Sequence, residues 1–294
     1  MNWLPKTLAS IGSEFFVILV DNGSTDNTLT FIKEKYPDVL ILAQGKNLGF
    51  GKANNVGIKK AISLGAAYIF LLNQDAYIES STLSLLIAES QKDSTYGIIS
   101  PIHYNGDYTA IDKNFASYIT YENPIFLKDA LENSLNSIYE VAFVNAAGWL
   151  LPISTIQKVG LFDENFFMYG EDDNYIQRLK FHRLKLGIVP KAKMAHDRSQ
   201  KSKKPNKLFS DAYFQKKKID YLVTFANIND LNWEKKYNKE LFILTKKAIT
   251  SLLRFQWSTH INFLKQRKML RSLYPKLIKS RQLHQESNTS IYEF

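Results

Sequence analysis

Tyr68 to Asn73 is a run of mostly apolar residues, with Ile69, Phe70, Leu71 and Leu72 inside it, and it stops at Asn73-Gln74-Asp75. A continuous apolar run of this length predicts a strand buried on both faces, in the middle of a parallel sheet. In open α/β sheets ligands bind just outside the carboxyl ends of strands, so a carboxylate where the strand gives out faces the expected site. Asp75 is that carboxylate. The same residues also suit a plain turn, because Asn and Asp make local hydrogen bonds at strand-to-loop corners. The run alone leaves both readings open.

The surrounding chain repeats the strand-then-helix pattern. Phe15 to Val20 is a second apolar run, followed by polar Asp21 to Asp26 and a helical pattern of Leu29, Ile32 and Tyr36 closed by Pro37. Val39 to Ala43 predicts the next strand, and from Lys52 a helix turns Ala53, Val56, Ala61 and Leu64 inward until Gly65 stops it. Beyond Asp75, Ser80 or Ser81 can cap a helix carrying Leu83, Leu86 and Ile87, and Gly97 to Ser100 predicts a short strand ended by Pro101. Such alternation predicts a doubly wound, mainly parallel sheet. One element is out of order: Leu4 to Ile11 reads as the helix of a strand–helix unit, yet only Met1-Asn2-Trp3 precedes it.

From Asp107 to Asn136 the periodicity weakens, which predicts loops over the site rather than core. Val141 to Val144 leads into Asn145-Ala146-Ala147-Gly148, small residues that let backbone approach a ligand, and Trp149 to Pro152 continues as strand before a short helix around Ser154 to Val159. Gly170-Glu171-Asp172-Asp173 then stands at the start of a helix in which Asp172, Tyr175, Ile176 and Leu179 share the inward face, while Gln177, Arg178 and Lys180 reach solvent. An inward acid there is expected to stay ionised, favoured by the helix dipole and free amides, and to be able to act as a general base. Acids also decorate first helical turns simply as dipole partners. His196, closing an extended segment, is either a metal ligand or an edge residue.

Charge and composition narrow the chemistry. With no cysteine among 294 residues, disulfides, thiol nucleophiles and thiolate metal sites are excluded, so any metal sits on oxygen and nitrogen ligands. Residues 1–200 carry 18 Lys+Arg against 21 Asp+Glu, and residues 201–294 carry 20 against 7, so the net +10 lies in the tail. That tail opens on Lys201, Lys203, Lys204 and Lys207 around Pro205 and continues as three helical stretches with interleaved basic and apolar residues. It suits either an amphipathic surface on an anionic membrane or a helical cap with a solvated basic side. No membrane-spanning run or signal peptide is present in the sequence, so a cytoplasmic location is expected, with peripheral contact at the inner face of the cell membrane.

Five segments in order, VDNGSTDNT (20–28), KNLGFGKANNVGI (46–58), LLNQDA (71–76), VGLFDENFFMYGEDDNYIQRL (159–179) and His196 with Ser199, resemble the family 2 glycosyltransferases, particularly rhamnosyltransferase-type members. The resemblance covers roughly residues 2–200, which become an expected catalytic domain, with 201–294 a basic helical extension. It implies the GT-A fold, a Rossmann-like α/β sheet, and an inverting transfer from a nucleoside diphosphate sugar to a saccharide or lipid-linked acceptor. The sugar implied is a hexose such as rhamnose, and the setting bacterial surface polysaccharide synthesis. Carried onto matching positions, it implies nucleotide contacts from Asp21, Asn22, Asn47, Gly49, Asn54, Asn55 and Asn73. A divalent metal, Mg²⁺ or Mn²⁺, falls on Asp75 and His196, and Asp172 becomes the catalytic base with Glu171 beside it. Ala147 and Gly148 line the donor and acceptor space.

Two departures from the family pattern carry expectations of their own. Asn73 stands where the first acid of the family's Asp-x-Asp signature falls, which predicts a weaker metal site carried largely by substrate phosphates. Family members open with an apolar strand inside the sheet, and without it the neighbouring ladders are expected to be unpaired and the chain, truncated or mis-started, poorly stable or inactive. The nearest enzymatic rival is a sugar-1-phosphate nucleotidyltransferase, whose Gly- and Arg-containing opening loop is not found here. A catalytically silent nucleotide-sugar or nucleic-acid binder is the rival from another class, although nucleic acid is not an expected partner.

Overall fold

The computed structural model describes residues 2–120, 123–198 and 205–285. Ser199, Lys201, Lys203 and Lys204, singled out in the sequence, lie outside the described residues. The first half alternates α1 (Leu4–Ala9), β1 (Ile18–Asp21), α2 (Thr28–Lys35), β2 (Leu40–Ala43), α3 (Phe50–Ser63), β3 (Tyr68–Leu72), β4 (Ala76–Ile78), α4 (Thr82–Lys92) and β5 (Tyr96–Tyr104). Next come α5 (Lys113–Thr120), α6 (Pro124–Leu131), β6 (Tyr139–Glu140), β7 (Gly148–Pro152), α7 (Ile153–Val159), α8 (Glu171–Phe181) and β8 (Lys185–His196). Three helices follow: α9 (Asp211–Phe225), α10 (Trp233–Leu253) and α11 (Trp257–Gln285).

The α/β class stands, and the sheet is mixed. β1 and β2 pair in parallel as a separate ribbon, while the larger sheet runs β3-β7-β5-β8-β4 with β6 added on β8. Within it only β5 and β8 are parallel neighbours. Among the described residues β3 pairs solely with β7, antiparallel, so the apolar run that reads as a central parallel strand is an edge strand with only Leu71 fully buried. The sheet is thus interrupted between β1 and β3, and α3 packs across both, with Gly57 against Val20. α1 lies with β1, α2 and β2 through Leu4, Leu8, Leu19, Ile32 and Ile41.

Several local expectations are corrected. β5 runs nine residues straight through Pro101, because the ladder shifts register between Pro101 and Ile102, where a missing N–H is tolerated. The stretch from Asp107 to Asn136 is not loop: it holds α5 and α6, and Phe115 and Ile119, four residues apart on α5, are wholly buried in the main core around Trp149. Asn123 caps α6 ahead of Pro124, accepting from the Phe126 N–H at 3.0 Å. Leu64 is exposed rather than inward, past the end of α3. Arg178 is buried, its Nε donating to Asn174 Oδ1 and its Nη1 to the Val159 carbonyl, both at 3.0 Å.

The tail helices are clasped to α8. Gln177 Nε2 donates to the Val223 carbonyl at 3.2 Å, and Asn229 Nδ2 donates to the Gln177 carbonyl at 2.8 Å. Near the end of α11, Ser280 Oγ donates to Asp163 Oδ2 at 2.6 Å, and Arg281 Nη2 donates to the Asp230 carbonyl at 3.0 Å. Phe166, from the loop before α8, sits in the same apolar cluster as Leu222, Phe225, Leu270 and Leu277. The tail helices therefore pack on α8 and the loop before it.

Candidate active site

The turn after β3 builds one half of the site. Asn73 N–H donates to the Ala147 carbonyl at 3.1 Å, and Ala76 N–H donates to the Asn73 carbonyl at 3.1 Å, folding the chain straight into β4. β4 pairs antiparallel with the end of β8, Ala76 opposite His196. Asp75 Oδ1 and His196 Nε2 consequently stand 3.5 Å apart, and the Asp197 N–H holds the Asp75 carbonyl at 2.8 Å. His196 is buried and its Nδ1 has no hydrogen-bond partner.

Behind His196 lies His103 of β5, edge-on with ring centroids 6.2 Å apart, stacked on Phe115 and with Nε2 at 3.0 Å from Ser100 Oγ. Burial, and then the neighbouring His196, holds His103 well below the ordinary histidine range. It backs the site as a neutral ring.

The other half is the start of α8. Tyr169 and Gly170 both have left-handed backbone, φ 69° and 86°, and this sharp entry sets Glu171, Asp172 and Asp173 in the first turn. The Asp172 carboxylate accepts from the Asp173 N–H at 2.9 Å and faces the Ala146 N–H. The helix N-terminus does not dominate here. Burial lifts Asp172 to about 6, with the Asp173 charge adding and the backbone N–H groups opposing. Burial and then Asp172 lift Glu171 to about 7, and Glu171 Oε2 is buried without a partner. The Glu171 stem lies against Gly51 of α3.

The two halves are joined through one short segment. Ala147 holds Asn73 by its carbonyl and Ala146 meets Asp172 by its N–H, so consecutive residues carry the Asp75 turn and the α8 acid. Around the other side, Arg198 makes a two-pronged pair with buried Asp112, Nη2 to Oδ1 at 2.6 Å and Nε to Oδ2 at 3.1 Å. Arg198 also bonds Tyr118 of α5, whose hydroxyl is pushed up by burial and then by Asp172. Arg198 thus joins Asp112 to Tyr118, and its backbone N–H donates to the His196 carbonyl at 2.9 Å. Asp112 and Tyr118 went unseen in the sequence because they lie in the weakly periodic stretch. The Asp-x-x-Phe spacing at the start of α5, where Asp112 Oδ1 accepts from the Phe115 N–H at 2.9 Å, was the available signal.

Ala147 and Gly148 do not open space for sugars. Both are buried, and a Cβ on Gly148 would overlap Met194 Sδ, so the small residues admit protein core rather than ligand.

At the carboxyl ends of β1 and β2 a second cluster forms. Both Asp21 oxygens accept from the Ser24 N–H, at 3.3 and 3.2 Å. Asn22 Oδ1 accepts from the Leu48 N–H at 2.7 Å, Asn22 Nδ2 donates to Asn47 Oδ1 at 3.1 Å, and Asn47 Oδ1 also accepts from the Gly49 N–H at 2.8 Å. Gly49 has φ 83°, and a Cβ there would overlap the Phe167 carbonyl, which accepts from the Phe50 N–H at 3.0 Å. Asn54 bonds its own helix at the Phe50 carbonyl, 3.0 Å. Buried Asn55 bridges to the Phe162 backbone, 2.9 Å to the carbonyl and 2.8 Å from the N–H, so its amide ties α3 to the loop and does not line the pocket.

Among the described residues no group of three or more His, Asp or Glu gathers to hold a metal. Asp75 and His196 nonetheless fit one hard cation: two ligands about 2.1 Å from an octahedral ion stand about 3 Å apart, and Mg²⁺ commonly takes only one or two protein ligands beside substrate phosphates. The orphaned, buried His196 ring leaves its Nε2 directed at Asp75.

The α/β architecture is that of the GT-A glycosyltransferase fold. Two solved structures share it at low sequence identity: GalNAc-T7 with UDP, GalNAc and Mn²⁺ (TM-score 0.56, 16% identity, covering 76% of this chain and 45% of that one), and S. aureus TarS 1–349 in complex with UDP (TM-score 0.51, 15% identity, covering 97% and 86%). Residues 2–146 match glycosyl transferase family 2, and that segment is a domain of the family. An N-acetylglucosaminyl-diphospho-decaprenol L-rhamnosyltransferase of Mycobacterium tuberculosis is 26% identical over 62% of this chain and 66% of its own length. The dTDP-rhamnosyl transferase RfbF of Shigella flexneri is 25% identical over 64% and 62%, and the low-salt glycan biosynthesis hexosyltransferase Agl10 of Haloferax volcanii 24% identical over 58% and 55%. The chain therefore spans between about half and two thirds of these relatives.

Proposed function

We propose that the protein is an inverting hexosyltransferase of glycan biosynthesis, moving a sugar from a nucleoside diphosphate donor to a saccharide or lipid-linked acceptor. The observation that carries this reading is that consecutive residues Ala146 and Ala147 hold Asp172 and the Asp75 turn, which brings the proposed base and the proposed diphosphate-side acid to one short segment. Asp21, Asn22, Asn47 and Gly49 sit at the neighbouring strand ends and would take the nucleoside. Rhamnosyl relatives, one named for a decaprenol-linked acceptor, support a deoxyhexose donor and a lipid-linked acceptor.

In the reaction the acceptor hydroxyl oxygen bonds to the anomeric carbon as the bond from that carbon to the diphosphate oxygen breaks. The acceptor proton passes to an Asp172 carboxylate oxygen, and the nucleoside diphosphate leaves with the electron pair. With a folded-state value of about 6, Asp172 is largely ionised at neutral pH yet basic enough to take the proton. Arg198, held by Asp112 two residues beyond His196, would present its guanidinium to the diphosphate. Asp75 and His196 would hold Mg²⁺ or Mn²⁺, which when bound offsets the charge of the leaving diphosphate. The Mn²⁺ present with UDP in the GalNAc-T7 structure supports that choice of ion.

The test is thermal shift of the chain and of Asp75→Ala with dTDP-, UDP- and GDP-sugars, with and without Mn²⁺. Stabilisation by one nucleotide class that needs the metal and disappears in Asp75→Ala is expected. No shift with any donor, in a chain that melts cooperatively, would refute the reading.

A further inference from the structure

Between Leu241 and Gln285 the sequence carries ten Lys and Arg residues and not one Asp or Glu. This stretch is most of α10 and all of α11. Leu244, Ala248 and Ser251 face the core from α10, and Gln266, Leu270, Leu273 and Leu277 from α11. At helical spacing, Phe242, Ile249 and Leu253 stand on the opposite face of α10, and Trp257, Ile261 and Leu264 on the opposite face of α11. All six are exposed. A soluble helix normally puts polar residues there.

The two apolar stripes converge on the turn between the helices. Phe255, at its apex, is 80% exposed, with Leu253 at 74% and Trp257 at 60%. The turn is defined rather than frayed: Phe255 sits at φ 54°, its N–H donating to the Leu252 carbonyl at 2.9 Å and the Gln256 N–H to the Ser251 carbonyl at 2.9 Å. At a rise of about 1.5 Å per residue, Lys246 and Lys247 on α10 and Lys265 on α11 lie about 12 Å back from the apex. Apolar side chains therefore occupy the tip and basic ones form a collar behind it, with Arg254 between.

We propose that the α10–α11 turn docks on an anionic lipid bilayer, placing Leu253, Phe255, Trp257 and Ile261 among the upper acyl chains while Lys246, Lys247, Arg254 and Lys265 meet lipid phosphates. This rests on the reading above that the acceptor is lipid-linked. Interfacial helices bury their apolar side about 5–10 Å deep, which matches the length of this tip. A second copy of the chain fits less well, since a two-fold contact would set one strongly cationic patch against another. No helix among the described residues is long and apolar enough to cross a membrane, so the contact is one of insertion from one side. The clasp between α9 and α8 would then fix the height of the proposed site above the lipid.

The full chain is sedimented with vesicles of phosphatidylcholine alone and of phosphatidylcholine mixed with phosphatidylglycerol. Binding to the anionic vesicles, weakened by salt and roughly tenfold or more tighter than to the neutral ones, is expected. Substituting Leu253→Ser, Phe255→Ser and Trp257→Ser together removes exposed groups only, so the fold should persist by circular dichroism while vesicle binding falls about tenfold or more. Brominated lipids should quench emission in the wild type more than in Trp257→Phe. Equal binding to both vesicle types, undiminished binding by the triple variant, or lipid-free dimerisation abolished by it would each overturn the proposal. Donor thermal shift on the same samples separates the two readings: donor binding without vesicle binding sinks the docking alone, whereas loss of donor binding sinks the function.

Discussion

Asp75 Oδ1 and His196 Nε2 stand 3.5 Å apart because Ala76 and His196 are opposite residues of one antiparallel ladder. Distant in sequence, they are fixed by sheet register rather than by loop conformation, which suits a site that must keep its geometry through each turnover. On the function proposed, Asp75→Ala and His196→Ala should each lower kcat/KM for sugar transfer by about 100-fold or more, since each would remove a ligand from a charge clamp worth several kcal/mol. The loss should shrink when Mn²⁺ is raised. A variant with unchanged kcat/KM at limiting metal would remove that residue from the clamp.

Asp172 supplies the pH signature. Burial and the Asp173 charge set its folded value at about 6, so the base is protonated below that pH and free above it. The rate should therefore rise with pH through about 6 and level off near neutrality. Asp172→Asn should reduce kcat by about 10²–10⁴-fold and flatten this limb, leaving donor binding by thermal shift in place. A retained acid limb in the variant would assign the titration elsewhere.

What the sequence discloses and what it hides follow the range of the forces involved. The alternation of apolar runs and the helical pattern of the tail are local, and both appear as elements of the structure. The edge position of β3 is not local: its apolar run looks central until pairing shows β7 as its one partner among the described residues. The same is true of Gly148, whose missing side chain is required by Met194, more than forty residues away. Phe115 and Ile119 were concealed because a helix of eight residues gives only about two turns of periodicity. Arg178 looked solvent-facing because nothing in its neighbourhood announces the Val159 carbonyl that receives it.

Glu171 should be a burden on stability. Burial holds its folded value at about 7, against an ordinary 4.5, so between those limits the native state binds more protons than the unfolded chain. Stability must then fall as pH rises across that window, and by pH 8 the charged, unpartnered carboxylate costs on the order of 3 kcal/mol. Glu171→Gln should melt higher than the wild type at pH 8 and nearly level with it at pH 5. Urea titrations at both pH values read this directly, and a variant destabilised equally at both would show that Glu171 holds a structural partner instead.

Gly170 ties the tail to the turn that carries Asp172, the proposed base. Its φ of 86° is left-handed, and a Cβ would lie 2.7 Å from Val223 Cγ2 and 3.0 Å from Ile219 Cγ2, both on α9. Gly170→Ala therefore meets two costs at once, about 1–2 kcal/mol for the left-handed backbone and an overlap that only a shift of α9 relieves. Either relief moves the entry to α8, and with it Asp172 relative to the Ala146 N–H. The variant should lose roughly 2–3 kcal/mol of stability and, at temperatures where it is still folded, lose kcat while KM for the donor holds. Val223→Ala in the same background makes room for the new methyl. It should restore part of the stability, and recovery of kcat alongside would place the coupling in the α8–α9 contact rather than in the glycine's own backbone.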